Sequence, residues 1–450
     1  MRASRLGGPL AAALAVAVAA GGPAILAPAP PALGASWHLD SAFGKHDVAG
    51  LPVRETGPDS LFPVAGPGAE GTLLAPGPRG TLFAGGFADH KKGSFLIARL
   101  SARGSLVSKF GHGGVVTVPA IYSTPARPPR IFALTGGRLL VVGLDRADHL
   151  AVARLTARGG LDRSFGHDGV AQYPLPGVHG NAIIAAAAVE PDGDMLAAYY
   201  QREAPQPTNQ PRISPGLGVG PIELVRLLPG GALDRSFGQG GLLTASALSP
   251  ATGEVPAGGL TIAPDGSILI AYEQASIAPS DPAEAPAVQE LSPAGVADAG
   301  FGAAGVALLP FTPKFEGEDS SLFSGLFALP GGAVEVSFGG GGELFRFSAA
   351  GTPDPAFGTA GHTTQGPAVL ALAVAPDGET FSLDSAPKLT VGGTLAGGAP
   401  DPALGGRRGK RFGAGLPKQR PGEQQQTTDL LAGNDTLTIL VGETVMRISR

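Results

Sequence analysis

Six aspartates recur in one local setting. Asp40, Asp162, Asp234, Asp298, Asp354 and Asp401 each stand three residues before a phenylalanine or leucine that is followed by glycine. Four histidines, His46, His112, His167 and His362, fall shortly after such cores. Carboxylates and imidazoles of this kind are the raw material of a calcium site, another metal centre or an acid–base pair. Calcium, however, needs about six to eight oxygens converging on one point. The remaining histidines, His38, His90, His149 and His179, have no ligand spacing. The chain carries no Gly-x-Ser-x-Gly, no His-Glu-x-x-His, no P-loop and no Gly-x-Gly-x-x-Gly opening a helix. The run Gly339 to Gly342 lies between two strand-like segments and reads as a turn.

The spacing of the copies decides between a site and a building unit. "LDSAFG" begins at Leu39, "LDRSFG" at Leu161 and Leu233, "ADAGFG" at Ala297 and "PDPAFG" at Pro353. Two copies are altered: "LVSKFG" has Val107 in place of Asp, and "PDPALG" has Leu404 in place of Phe. Phe43, Phe110, Phe165, Phe237, Phe301, Phe357 and Leu404 are therefore 67, 55, 72, 64, 56 and 47 residues apart, an average of about 60. A catalytic site is not built seven times. The structural reading is that each Asp accepts backbone N–H groups to start a turn, swinging its Phe between neighbouring sheets. Burial of each ring would stabilise by roughly 1.5–3 kcal/mol. Carboxylates on separate units do not converge, so neither a metal nor a cofactor site is expected.

Between the copies lies a second pattern, an apolar run, a tight turn and another apolar run, as in "AVEPDGDMLAAYY" and "LTIAPDGSILIAY". Pro presets φ, Asp bonds its own backbone and Gly tolerates positive φ, so each reads as a β-hairpin. A third strand follows, carrying Arg99, Arg154, Arg226, Arg346 and Arg447 at one place. These are read as arginines lying across neighbouring strands or blades with packed stems, not as a basic array. A fourth strand follows each Phe-Gly-x-x-Gly. Four strands per unit, seven units and no helical period predict an all-β fold: a seven-bladed β-propeller of four-stranded blades.

The core Leu-Asp-x-x-Phe-Gly-x-x-Gly, repeating at about 60 residues, resembles the delta-60 repeat, a family of bacterial, often exported, propeller-forming repeats. The likeness spans nearly all of the chain after its first segment. The copies at Asp162, Asp234, Asp298 and Asp354 keep Asp, Phe, Gly and the last Gly together, while the first displaces its closing glycine. The family carries no assigned catalytic residues, so the resemblance bears on fold and leaves activity open.

The first Asp-x-x-Phe-Gly unit stands alone near residue 40 and the last hairpin and third strand end at Arg450. Strand exchange between the two ends would complete the last blade, residues 37 to 53 supplying its outer strand; contiguous blades are the alternative. In the exchanged phase the short turns fall on one face and all long insertions on the other, where loops that carry function are expected. The most distinctive insertion, within 405–429, gathers Arg407, Arg408, Lys410, Arg411, Lys418 and Arg420 around Phe412 in an acidic protein. It is a candidate patch for an anionic envelope polymer or acidic partner; a solvated loop is the alternative.

Bulk properties agree with an extracytoplasmic protein. A net charge of −5 gives no global attraction to nucleic acid or membrane. Glycine and proline number 71 and 43, a proportion that would suggest disorder without a period. Arg2 and Arg5 precede an apolar run that leads to Ala32-Leu33-Gly34, the pattern of a signal peptide over 1–34. An uncleaved anchor is the alternative, though Gly21, Gly22 and Pro23 interrupt the run. With no cysteine, neither disulfide nor lipid anchor is available. The expected product is a secreted or surface-associated propeller over 35–450, binding a carbohydrate, envelope polymer or protein through its long-loop face. A propeller lyase or hydrolase with a central-channel site and a purely structural surface protein are the rivals. For the enzyme, Glu190 is the one hint, on the short-turn face.

Overall fold

The computed structural model describes residues 38–43, 48–50, 73–89, 94–122, 129–178, 180, 182–201, 222–245, 254–274, 287–309, 323–338, 342–365, 369–384, 390–406, 409–410, 428–433, 435–441 and 444–450. The compact unit is Gly34–Arg450. The expected leader, His46, His90, His179 and most of the expected insertions lie outside the described residues.

Seven antiparallel sheets make a seven-bladed β-propeller. Blade 1 comprises Leu74–Pro76, Leu82–Asp89, Ser94–Leu100 and Val115–Val118. Blade 2 comprises Arg130–Ala133, Leu139–Leu144, Leu150–Leu155 and Val170–Tyr173. Blade 3 follows with Ala182–Val189, Met195–Gln201, Glu223–Leu227 and Leu242–Thr244. Blade 4 has Glu254–Ile262, Ile268–Gln274, Ala287–Leu291 and Val306–Leu308. Blade 5 has Phe323–Ala328, Val334–Phe338, Glu343–Phe347 and His362–Thr364. Blade 6 has Val369–Val374, Thr380–Asp384 and Thr390–Thr394, with Lys410 bridging Val391 at its outer edge. Blade 7 has Thr428–Ala432, Thr436–Val441 and Thr444–Ser449, and the last of these pairs with both His38–Leu39 and Val48–Gly50. First strands contact one another from blade to blade right round the ring. Among the described residues, helix is confined to short 3-10 turns such as Pro402–Leu404.

Each middle strand is covered on both sides by neighbouring blades. Leu139–Leu144 and Leu150–Leu155 are buried at every position, which is why they read as apolar runs, broken only by Arg154, instead of alternating ones. The hairpin turns form as their chemistry requires. Gly193 N–H donates to Glu190 O at 2.9 Å, with Gly193 at φ 96°, and Asp194 N–H donates to Asp192 Oδ1 at 3.1 Å.

The repeated motif joins each blade to the next. In blade 2, Phe165 N–H donates to Asp162 O at 3.0 Å, while the Ser164 hydroxyl donates to Asp162 Oδ1 at 2.7 Å. The turn drives Phe165 inward to 3% exposure. A Cβ on Gly231 of blade 3 would lie 3.0 Å from that ring, so only glycine lets the next blade's turn approach so closely. Gly166 N–H donates across the junction to Gly230 O at 2.8 Å. Arg154 completes the joint: its guanidinium carbon lies 4.9 Å from the Phe165 ring centroid, Nε donates to Asp162 Oδ2 at 2.9 Å, and Nη1 donates to Pro229 O of blade 3 at 2.7 Å.

The arrangement recurs with Arg226 on Phe237, Arg346 on Phe357 and Arg447 on Phe43. Blade 1 varies it: Arg99 stacks on Phe83, which packs against Phe110 at 5.6 Å between centroids. Val107 keeps the turn, since Phe110 N–H still donates to Val107 O at 2.9 Å. Phe301 and Leu404 are buried to 1% and 0% exposure. One oxygen of each aspartate is taken by its own turn: Ala42, Gly300, Ala356 and Ala403 N–H groups donate to Oδ1 of Asp40, Asp298, Asp354 and Asp401.

Two blades lack the arginine. Glu290 stands at its place in blade 4 and Gly393 in blade 6, judged by the same backbone bonds to Asp298 and Asp401. A Cβ on Gly393 would lie 2.7 Å from Leu404, leaving no room for a longer side chain there. Arg450 from blade 7 supplies the missing guanidinium instead. It pairs with Glu379 and lies 3.8 Å from Asp401.

Candidate functional site

Strand order places the hairpin turns and the Asp-x-x-Phe turns on one face. The links from second to third strand, and from blade to blade, fall on the other. On that second face a cleft of about 490 Å³ opens between blades 1 and 2, lined by Thr117 to Tyr122, Asp145, Arg146, Ala147 and Gln172. Its two walls are the link leaving blade 1 and the link inside blade 2.

Each wall is held by its own backbone. Tyr122 N–H donates to Leu144 O at 2.8 Å, and Ala120 adopts φ 64° to turn the chain. Asp145 Oδ1 accepts N–H groups of Ala147 at 2.7 Å and His149 at 3.0 Å, an Asx turn. Its Oδ2 accepts from Gln172 Nε2 at 2.9 Å and faces His149 Nδ1 at 3.1 Å. The Arg146 guanidinium carbon lies 4.6 Å from the Tyr122 ring centroid. A planar cation on an aromatic ring, beside a fixed carboxylate and an amide, offers the donors, acceptors and flat apolar surface that a polyhydroxylated or charged ligand needs. The half-exposed His149 ring beside Asp145 is a carboxylate–imidazole pair able to take up or give a proton.

Sequence spacing did not single out this site. "LDRADH" looks like a loop, and the aromatic that stacks on its arginine lies 24 positions upstream in another link. The Asp145-to-His149 spacing is the signal that was present.

The other candidates sit elsewhere. His112 is exposed, the His167 side chain is 98% exposed, and His362 pairs with Glu343 while stacking on Phe345. They are on separate blades, and among the described residues no group of three or more His, Asp or Glu side chains is placed to hold a metal. Of the candidate binding residues in the basic insertion only Lys410 is described, and its backbone exchanges hydrogen bonds with Val391 at 2.8 and 3.0 Å. Arg407, Arg408, Arg411, Phe412, Lys418 and Arg420 lie outside the described residues. Along the first strands that line the channel, the described polar side chains are Arg130, which donates to Ala185 O at 3.2 Å, and the buried Thr261.

Glu190 is part of a junction on the short-turn face. Arg226 lies 3.6 Å from Glu190, 3.9 Å from Asp194 and 2.6 Å from Asp234. Burial pushes the Glu190 carboxyl up to about 7 and that of Asp194 upward too. Hydrogen bonds from Ser164 hold Asp162 below the usual carboxylate range. In the blade 6–blade 7 junction, burial pushes Glu379 up to about 8 despite Arg450.

No family model matches the chain, and no curated protein sequence matches it. Among solved structures it is similar to the S511A mutant of puromycin hydrolase complexed with PGG, at 15% identity and a TM-score of 0.46, over 88% of this chain and 56% of that one. It is also similar to a protein of unknown function from Dyadobacter fermentans, at 11% identity and a TM-score of 0.42, over 92% and 99% of the two chains. A third is the gluconolactonase XC5397 from Xanthomonas campestris, at 12% identity and a TM-score of 0.34, over 89% and 97%. The chain thus spans little more than half the length of the hydrolase, and the assignment as a propeller rests on the strand pairing described above.

Proposed function

We propose that this protein is an exported, non-catalytic propeller of delta-60-like repeats that recognises a carbohydrate, envelope polymer or protein through its long-loop face. The cleft between blades 1 and 2 is a contact point on that face. The observation that carries this reading is the Arg146–Tyr122 stack beside the anchored Asp145 and Gln172, on the face where the insertions begin and end. Nucleic acid is not a partner of an acidic surface of this kind, and no helix among the described residues is long and apolar enough to cross a membrane. The test is retention of envelope and secreted fractions of the producing cell on the immobilised full chain. Tyr122→Ala and a variant lacking residues 407–426 are run beside it. Tyr122→Ala is expected to weaken retention at least tenfold; unchanged retention by both variants would remove the cleft and the basic loop from the reading.

A second reading, a propeller lyase or hydrolase, is favoured by the Asp145–His149 pair next to the same cleft. Turnover of a retained polymer that disappears in His149→Ala while binding persists would establish it.

A further inference from the structure

Among the described residues, apolar clusters bridge the junctions of blades 7 and 1, 1 and 2, 2 and 3, 3 and 4, 4 and 5, and 6 and 7. No such cluster bridges blades 5 and 6. There the facing surfaces mix the buried apolar Leu344, Phe357 and Leu372 with a set of polar groups. Blade 5 presents Glu335 and Ser337; blade 6 presents Thr380, Ser382 and Asp384 from its second strand and Thr390 and Thr394 from its third, all at most 8% exposed. Near the short-turn face most of the polar groups satisfy one another, Gln365 Oε1 being buried without a partner. Thr380 donates to Glu335 Oε1, Arg346 Nε donates to Glu335 Oε2 at 3.0 Å, and Gln365 Nε2 from blade 5 donates to Thr394 Oγ1 at 3.2 Å.

Toward the long-loop face they do not. Asp384 is 3% exposed, its Oδ2 accepts only from Ser382 Oγ at 3.1 Å, and its Oδ1 has no hydrogen-bond partner. No cationic side chain among the described residues pairs with it. Burial disfavours its ionised form, and among the described residues only the Ser382 hydrogen bond offsets that cost. Asp384 and Ser382 share one face of their strand, and across the ladder Thr390 pairs with Asp384 while Gly392 pairs with Ser382. A Cβ at Gly392 would lie 2.6 Å from Ser382 Oγ and 3.4 Å from Asp384 Oδ2, so glycine keeps the space beside both oxygens open.

We infer that the blade 5–blade 6 seam binds a monovalent alkali cation at Asp384, with the hydroxyls of Ser382 and Thr390 beside it. An all-oxygen donor set selects a hard cation over a soft transition metal. One carboxylate sets the valence: a monovalent ion leaves the buried pair neutral, whereas calcium would leave a buried net charge. The site is independent of the proposed ligand cleft, and its role is to satisfy a buried carboxylate in the junction that no apolar cluster among the described residues bridges.

The experiment is thermal unfolding of the full chain in choline chloride against sodium, potassium and caesium chloride at equal ionic strength and pH 7.5, with Asp384→Asn and Gly392→Ala as variants. The wild type is expected to gain several degrees, saturably, in one of the alkali salts over choline, and Asp384→Asn to lose that response while staying at least as stable as wild type in choline. Gly392→Ala, which keeps the carboxylate and fills the space beside it, is expected to lose the response as well. Equal midpoints for the wild type in all salts would overturn the inference, as would an alkali response retained by both variants.

Discussion

Arg226 in blade 3 donates from Nη1 to the carbonyl of Pro293 in blade 4, 67 positions along the chain. The same guanidinium sits 4.4 Å from the Phe237 ring centroid and bonds Asp234. One side chain therefore ties a turn, a ring and the next blade together. The repeated Arg, Asp and Phe are parts of a single joint.

Arg226→Met keeps the apolar stem but leaves Glu190, Asp194 and Asp234 without their shared cation. Breaking a buried ion pair by removing one partner costs about 3 kcal/mol or more. Chemical denaturation at pH 7.5 is expected to show a loss of about that size, and the loss should shrink at pH 5.5, where Glu190 takes up a proton.

Phe165→Ala and Phe165→Leu separate packing from geometry. Removing a fully packed ring costs about 4 kcal/mol, whereas leucine is expected to cost only about 1 kcal/mol, in the range of size-conserving core swaps. Leu404 already serves this position in blade 6 at 0% exposure. Equal losses for the two variants would mean that the aromatic face under Arg154, not the buried volume, is what matters.

Stability should fall as pH rises from about 5 to about 8. Glu190 and Glu379 have carboxyls raised by burial to about 7 and about 8 in the folded protein, against ordinary carboxylate values when unfolded. Their stabilising contribution is complete below the unfolded value and disappears as pH climbs through the folded one. Glu379→Gln is expected to flatten the profile of unfolding temperature over this window. An unaltered slope in that variant would assign the pH dependence to other groups. Asp162, held low by Ser164, acts in the opposite sense and only in acid.

Ala304 and Ala360 occupy the left-handed region at φ 55° and 52°, where blades 1 and 3 carry Gly113 and Gly240. Left-handed backbone costs a Cβ-bearing residue roughly 1–2 kcal/mol, and glycine gives part of that back through its unfolded-state entropy. Ala304→Gly and Ala360→Gly are each expected to stabilise by about 0.5 kcal/mol. They lie in separate blades, so the gains should add in the double variant; calorimetry of all three proteins checks both statements.

Much of the fold could be read along the chain because a propeller blade is local. Its hairpin, third strand and Phe-Gly turn follow one another, and each is specified by turn residues and apolar runs within a few positions. The polar second strand of blade 6 was visible too, as Thr380, Ser382 and Asp384 on alternate positions. Its meaning was not, since an alternating polar face normally signals a solvent-facing strand, and here it faces another blade.

The candidate cleft shows the opposite balance. Tyr122, Arg146 and Gln172 lie in three segments with no shared spacing, and only the pairing of the incoming link with Leu144 and the folding of blade 2 bring them together.

By itself the sequence determined the repeating unit: which residues turn, which are buried, and how many blades there are. These follow from short-range backbone chemistry that recurs, with substitutions, in each copy. The tertiary structure decided which groups meet across the junctions: Arg226 with Pro293, Arg450 with the blade 6 carboxylates, Arg146 with Tyr122, and Asp384 with no cation among its described neighbours. Those contacts depend on the angle and distance between blades, set by packing summed around the whole ring, and no local stretch of sequence encodes that sum.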